Sequence, residues 1–364
     1  MASVTKRRIR TGELMAPIAH FSHALRIGDE IHLGATAGTD RARRLAGSLP
    51  GVADASAQAD RMYANMKLAL RLLGGTMKDV VRLKVYLADW RDEERHERCC
   101  AAHFDGRRPA FSMVGSWGFP LPLAVVEAEL TAVVGGATPF RYGSLRGADP
   151  RQALASLAQT LRDADLRMSD VVHVNVTLSD LRDYPALDEA FSAAFPAPCP
   201  ARSVSIAPLS GWGMRVALDT VAVRGGGEAV EPAGLFRMPG AASSAIRTGA
   251  HLFISAQPGI DAHGAFAETI AAQTRAAWRR IEAILHKAGM DAGNVIRTNN
   301  WLTDWRCYEG FNSAFGEFVA APYPPRATVA AGLVGRSALV QIEALAHAHA
   351  SDATVLETHA EEES

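Results

Sequence analysis

Residues 170–180 read DVVHVNVTLSD, and related segments of the same length occur twice more, DVVRLKVYLAD at 79–89 and NVIRTNNWLTD at 294–304. All three end in Asp. Val81, Leu83, Val85 and Leu87 alternate with other side chains in the first, and Val172, Val174, Val176 and Leu178 in the second. A period of two over this length predicts a β-strand. The third segment departs from the pattern, with Thr298 and Asn300 at apolar positions. A polar group on an apolar face costs free energy unless it is bonded. Asn300 therefore either satisfies nearby backbone or points into an altered pocket.

Working outward, a helical pattern precedes each strand. Met62, Met66, Ala69 and Leu73 recur at helical spacing in the first copy, and Leu154, Leu157, Leu161 and Ala164 in the second. Ile270, Thr274, Ala277, Ile281, Ile284 and Ala288 do so in the third. A second helix is expected at 92–104, 185–195 and 307–319. Closing strands follow at 124–133 (AVVEAELTAV), 215–223 (RVALDTVAV) and 339–348 (LVQIEALAHA). Copies one and three also open with a strand pair, near 23–38 and 245–259, turned at Gly28-Asp29 and Thr248-Gly249. Copy two lacks most of that pair, with only FRYGSLRGADP before its helix.

The chain is therefore three β-β-α-β-α-β repeats of the α+β class, at about 10–136, 137–226 and 227–350, the middle one truncated. GGA and RGGGEAVEPAG serve as linkers, and the acidic tail 351–364 is expected to be disordered. The repeat is too long for a solenoid unit, whereas closed trimers are a common symmetric solution. Three linked copies predict a pseudo-trimer within one chain, as a monomer or a dimer of such units.

Composition narrows the function. A net charge of −1 gives no electrostatic footprint for nucleic acid or an anionic membrane. No stretch approaches the ~20 apolar residues of a membrane helix. The basic start MASVTKRRIR is followed by no apolar run, so no secretory signal is expected. Cys99, Cys100, Cys199 and Cys307 form no CxxC and read as reduced thiols of a cytoplasmic protein. His347 and His349 could share a strand face and suit a metal, but no convincing third ligand appears, so no metal is expected. Trp117 and Trp212, in SWG and GWG turns, read as packing residues. There is no Walker loop, nucleophile elbow or dinucleotide fingerprint.

Three further segments stand in register: RPAFSMVGSW at 108–117, PARSVSIAPL at 200–209 and PPRATVAAGL at 324–333. Two carry an arginine, and the first has Phe111 in its place. Together with FISAQPG, HFSHAL and DWRCYEGFNSAFGEFV, these segments resemble the Rid/YjgF family of imine and enamine deaminases, also called L-PSP endoribonucleases. The likeness covers nearly the whole chain. It implies a chorismate-mutase-like trimer, with a barrel of sheets inside, helices outside and pockets between subunits. It also implies that the arginine binds a substrate carboxylate. That role falls on Arg326 and Arg202, and Phe111 marks a copy without the anion clamp. A fused chain permits this, because each site can drift alone.

The resemblance places substrate-binding roles on Ser255, Gln257, Asn312 and Phe21 as well. The acidic positions of the closing strands fall on Glu127, Ala217 and Gln341, and two residues on, Glu129, Asp219 and Glu343. Their bland reading is solvated or interstrand-paired carboxylates; the sharper one is an acid or base of raised pKa. Glu343, beside Gln341, is the preferred catalytic group, with Asn300 the third candidate. Arg326 is the preferred anchor, because its own copy holds Ser255, Gln257, Asn312 and Glu343. Its alternative is a structural salt bridge. His23 is expected to hydrogen-bond its loop.

The expected chemistry is hydrolysis of a small carboxylate-bearing imine, enamine or related C–N compound, with no cofactor. An arginine fork would hold the carboxylate while water attacks the C=N carbon. Two rivals stand beside it. Chorismatases, also single chains resembling fused Rid trimers, hydrolyse an enolpyruvyl ether; two cationic anchors in the pocket would favour that reading. A pseudo-trimer that binds metabolites without turnover is the other.

Overall fold

The computed structural model describes residues 5–9, 11–106, 108–136 and 138–351, and the backbone of 354–358. Repeat 1 comprises β1 (Thr5–Ile9), β2 (Ala24–Ile27), β3 (Glu30–Ala37), a small hairpin of β4 (Ser48–Leu49) and β5 (Val52–Ala53), α1 (Ala55–Leu72), β6 (Val80–Leu87), α2 (Glu93–His103), β7 (Ala110–Gly115) and β8 (Val126–Val133). Repeat 2 comprises β9 (Phe140–Gly147), α3 (Pro150–Asp163), β10 (Val171–Leu178), α4 (Tyr184–Ala194), β11 (Ala201–Ile206) and β12 (Val216–Val223). Repeat 3 comprises β13 (Glu228–Val230), β14 (Ala245–Thr248), β15 (His251–Pro258), α5 (Ile270–Lys287), β16 (Val295–Leu302), α6 (Tyr308–Phe315), β17 (Arg326–Ala330), β18 (Gly332–Leu333) and β19 (Val340–His347). A last strand, β20 (Thr354–Thr358), follows.

The three sheets share one order. In repeat 1 it is β2-β3-β8-β6-β7, in repeat 3 β14-β15-β19-β16-β17, and in repeat 2 β9-β12-β10-β11. The central strand pairs antiparallel with the closing strand and parallel with the strand beyond it, as in β10 against β12 and β11. Where its neighbours open with a hairpin, the middle repeat has the single strand β9, which keeps the place beside β12.

The Asp that ends each eleven-residue segment has a local task. Asp89, Asp180 and Asp304 accept from the backbone N–H of Arg91, Arg182 and Arg306, capping a short 3-10 turn that launches the second helix. The apolar faces of the strands pack beneath the helices. Leu83 and Val85 meet Met62, Tyr63 and Met66 in repeat 1, and Val174 and Val176 meet Leu154 and Leu157 in repeat 2.

The other face is buried too, because the sheets close on one another. β7 lies against β9, β11 against β15, and β17 against β3, so the chain forms a ring of three sheets. At the last junction the backbones nearly touch: a Cβ on Gly34 would lie 2.6 Å from the Arg326 carbonyl oxygen. Only glycine admits that approach.

Four expectations are corrected. The tail is not wholly disordered, since β20 pairs in parallel with β1, Thr5 opposite Thr354 and Ile9 opposite Thr358; residues 359–364 lie outside the described residues. An edge strand leaves backbone donors and acceptors open, and a short extended segment satisfies them. The second linker holds β13, which pairs with β14 as β1 pairs with β2. The helix expected to reach 319 stops at Phe315, ahead of Gly316. Trp212 is 99% exposed and Trp117 half-exposed, so neither is a core residue. Gly211 and Gly213 both adopt positive φ, and the tight turn they make leaves Trp212 at its apex.

Candidate functional site

The central strands carry Arg82, Lys84 and Tyr86, then His173 and Asn175, then Arg297 and Asn299, on the face turned away from the helices. All are buried. The closing-strand acids bond them in a cyclic pattern. Asp219 of repeat 2 accepts from Arg82 Nε of repeat 1 at 3.1 Å. Glu343 of repeat 3 accepts from Asn175 Nδ2 of repeat 2 at 3.1 Å and lies 3.1 Å from His173 Nε2. Glu129 of repeat 1 accepts from Asn299 Nδ2 of repeat 3 at 2.8 Å. Burial would raise the Glu343 carboxyl, but the charge and hydrogen bond of His173, with Arg297, hold it well below the usual carboxylate range. Of the two readings of these acids, interstrand pairing is the one observed, and it extends between repeats.

Glu343 is thus a member of the barrel interior, not of a pocket. The reason is depth. Gln341 and Glu343 share a strand face about 7 Å apart, and only the outer one reaches the barrel rim. Glu127 and Glu129 are related in the same way.

Two cavities lie at the rim between repeats. Arg326 opens β17, where its guanidinium is enclosed by aromatic rings: Cζ stands 4.8 Å from the Phe315 centroid, 5.4 Å from Phe311, 5.6 Å from Phe21 and 5.9 Å from Tyr308. Its Nη2 donates to Tyr308 Oη at 3.0 Å and Asn312 Oδ1 at 2.9 Å. Nη1 is buried with no hydrogen-bond partner among the described residues. Among the described residues no carboxylate forms an ion pair with Arg326. Burial draws its pKa down from the ordinary guanidinium value, with Tyr308 acting in the other direction. The cavity beside it encloses about 50 Å³, with Met15, Ile18, Ala35, Leu121 and Glu127 in its walls. Burial alone pushes the Glu127 carboxyl up to about 8.

Arg202 opens the matching cavity between repeats 2 and 3, of about 100 Å³. Here Nη2 is paired with Asp188 at 2.8 Å, while Nη1 is buried without a partner among the described residues. Ser255, Gln257 and Gln341 belong to this cavity. Ser255 Oγ accepts from the Arg202 backbone N–H at 2.8 Å, and Gln341 Nε2 donates to the Val204 carbonyl at 2.8 Å. At the place of the third arginine, Phe111 stacks on His96, with centroids 6.1 Å apart.

The grouping of Arg326 with Ser255, Gln257 and Glu343 is therefore corrected. Each arginine faces the opening strands of the next repeat, not of its own. Arg326 meets Phe21 and Glu127 of repeat 1, and Arg202 meets Ser255, Gln257 and Gln341 of repeat 3. Asn312 stays with Arg326, since α6 and β17 belong to one repeat. Asn300 does not enter either cavity; its Nδ2 donates to the Ala327 carbonyl at 3.1 Å and Thr328 Oγ1 at 3.2 Å, the local-backbone reading. His23 Nε2 lies 2.7 Å from the Met15 carbonyl, so it does bond its loop. Glu127, not Glu343, is the acid that lines a cavity, and among the described residues it has no charged partner. No helix among the described residues is long and apolar enough to cross a membrane.

A family model described as endoribonuclease L-PSP matches residues 11–134, 124–224 and 238–348. Among solved structures, a RidA protein from the Antarctic bacterium Psychrobacter shares 27% identity, covering 33% of this chain and 98% of its own, with a TM-score of 0.32. A candidate endoribonuclease from Thermotoga maritima shares 25% identity over 33% of this chain and 96% of its own, with a TM-score of 0.32. A candidate endoribonuclease L-PSP of Entamoeba histolytica shares 22% over 36% of this chain and 100% of its own, with a TM-score of 0.33.

Proposed function

Because this chain belongs to the endoribonuclease L-PSP (Rid/YjgF) family, in three tandem copies, we propose that it is a hydrolase of small carboxylate-bearing imines, and that the Arg326–Glu127 cavity is its working site. The observation that carries this reading is the meeting of two unlike groups in one cavity: a buried guanidinium with no counter-charge among the described residues, and a buried carboxyl that burial pushes up to about 8.

In this mechanism Arg326 takes the substrate carboxylate through its unpartnered Nη1 edge. The carboxylate supplies the charge that this buried cation lacks. The small apolar walls then suit a side chain of a few carbons. The Glu127 carboxyl donates its proton to the imine nitrogen, which makes the C=N carbon more electrophilic. Water adds to that carbon, and the Glu127 carboxylate takes a proton from it, leaving a carbinolamine. Transfer of that proton to the amino group makes ammonia the leaving group; the C–N bond breaks as the C=O bond forms, and the Glu127 carboxylate takes the hydroxyl proton. One water is consumed, one ketone and one ammonia result, and Glu127 ends protonated. No cofactor enters any step.

The test is ammonia release from imino acids generated in situ by an amino-acid oxidase. Acceleration that is lost in Arg326→Met and in Glu127→Gln, but kept in Arg202→Met, supports the reading. No acceleration with any imino acid would sink it and leave the two rivals, hydrolysis of an enolpyruvyl ether and metabolite binding without turnover.

A further inference from the structure

The cavity between repeats 2 and 3 differs from the Arg326 site in one respect that repeat symmetry makes plain. Gln58 and Gln273 are matching residues of α1 and α5. Each accepts a backbone N–H from the closing segment of its repeat, Val125 in one case and Leu339 in the other. Seven residues on, α1 has Asn65 and α5 has Arg280. Asn65 is spent on backbone, donating to the Ala37 and Thr39 carbonyls. Arg280 instead lines the Arg202 cavity. Its Nε donates to Gln257 Oε1 at 3.1 Å and its Nη2 to the Phe236 carbonyl at 2.8 Å, so neutral acceptors hold it in place. It is 6% exposed, and among the described residues no carboxylate pairs with it.

The cavity thus has two buried guanidiniums in its wall, with Arg237 as a third near the mouth. Among the described residues no carboxylate lines it. Asp188 and Glu231 pair with Arg202 and Arg237 from outside, at 2.8 Å and 3.7 Å. Gly240 closes over the Arg202–Asp188 pair: a Cβ there would lie 2.6 Å from Arg202 Nη2. That edge is capped, which leaves Nη1, buried and without a partner among the described residues, as the one with hydrogen-bonding capacity to spare.

We propose that this cavity is a separate binding site for a small dicarboxylate, one carboxylate on Arg202 Nη1 and the other on Arg280. Gln257 is a positioning residue for Arg280, because both its amide atoms are engaged by protein groups. The Arg326 site, with Asn65 in place of Arg280, accepts one carboxylate only. Two sites of unlike charge are something a homotrimer cannot build. This inference does not depend on turnover at Arg326.

The test is titration calorimetry with malonate, succinate, glutarate and 2-oxoglutarate, each set against a monocarboxylate of equal length. We expect one dicarboxylate per chain, bound at least about tenfold more tightly than its monocarboxylate, the worth of one added charge-assisted contact. Arg280→Met should remove that preference, and Arg326→Met should leave it intact. Ala242→Glu, which adds a carboxylate to the wall and removes no hydrogen bond, should remove it too, and serves if Arg280→Met fails to fold. No preference across the panel, a preference that survives both variants, or one lost in Arg326→Met would overturn the proposal.

Discussion

Asn312 accepts from Arg326 Nη2 at 2.9 Å from the place where repeat 2 has Asp188 on Arg202. The geometry is the same and the charge is not. One guanidinium is oriented without being neutralised, and the other is held by a carboxylate. An anchor that must attract a substrate anion is served by the first arrangement.

Asn312→Asp should therefore occupy Arg326 with an internal carboxylate. We expect KM for an imino acid to rise by about tenfold or more, with the fold retained, since Asp188 shows that the ion pair fits. Steady-state kinetics of the variant beside the parent chain measures this.

Glu127 carries a prediction about pH. Its carboxyl is raised from 4.5 to about 8 by burial. A proton donor of this kind is lost as pH rises through the folded value, so kcat/KM should fall above about pH 8. Stability has the same sign. Between 4.5 and about 8 the folded chain binds a proton that the unfolded chain has lost, so the folded state loses ground as pH rises. Glu127→Gln lacks that loss. Its advantage in urea unfolding over the parent should be smallest near pH 4.5 and largest above pH 8, while its activity falls by roughly 100-fold or more at neutral pH.

Arg82 is the shared partner of Asp219 and Glu129 inside the barrel. Arg82→Met leaves both acids buried with one cation fewer. The expected loss is about 3–5 kcal/mol in denaturant unfolding, because a stranded buried charge cannot regain water. The parent chain should also weaken in acid. Asp219 and Glu343 sit below their ordinary values, so the stability they contribute is present above about pH 4 and declines as pH falls through their folded values.

Trp212 provides the opposite expectation. At 99% exposure it has almost no packing to lose. Trp212→Ser should change unfolding free energy by less than about 0.5 kcal/mol.

Much of the fold is legible in the chain because each repeat writes it locally. The alternation through Val172, Val174, Val176 and Leu178 reports a strand pressed against its own helices, and Asp180 at its end reports the turn that follows. The tail's strand is not legible locally, because β20 pairs with β1, at the other end of the chain, and no local pattern records a partner that distant. The exposure of Trp212 is not legible either, because aromatic character signals burial on average, while the two flanking glycines decide this case.

For the site, the sequence by itself determined which residue types stand at equivalent places: arginine, arginine and phenylalanine; glutamate, alanine and glutamine. It could not determine which of them meet. Periodicity records burial within a repeat, and the cavities lie between repeats, where an arginine from one ring member faces the opening strands of the next. Only closure of the ring set Arg326 against Glu127 and Arg202 against Arg280. The same closure buried the polar faces of the central strands, turning Glu343 from a pocket acid into one charge of an internal network.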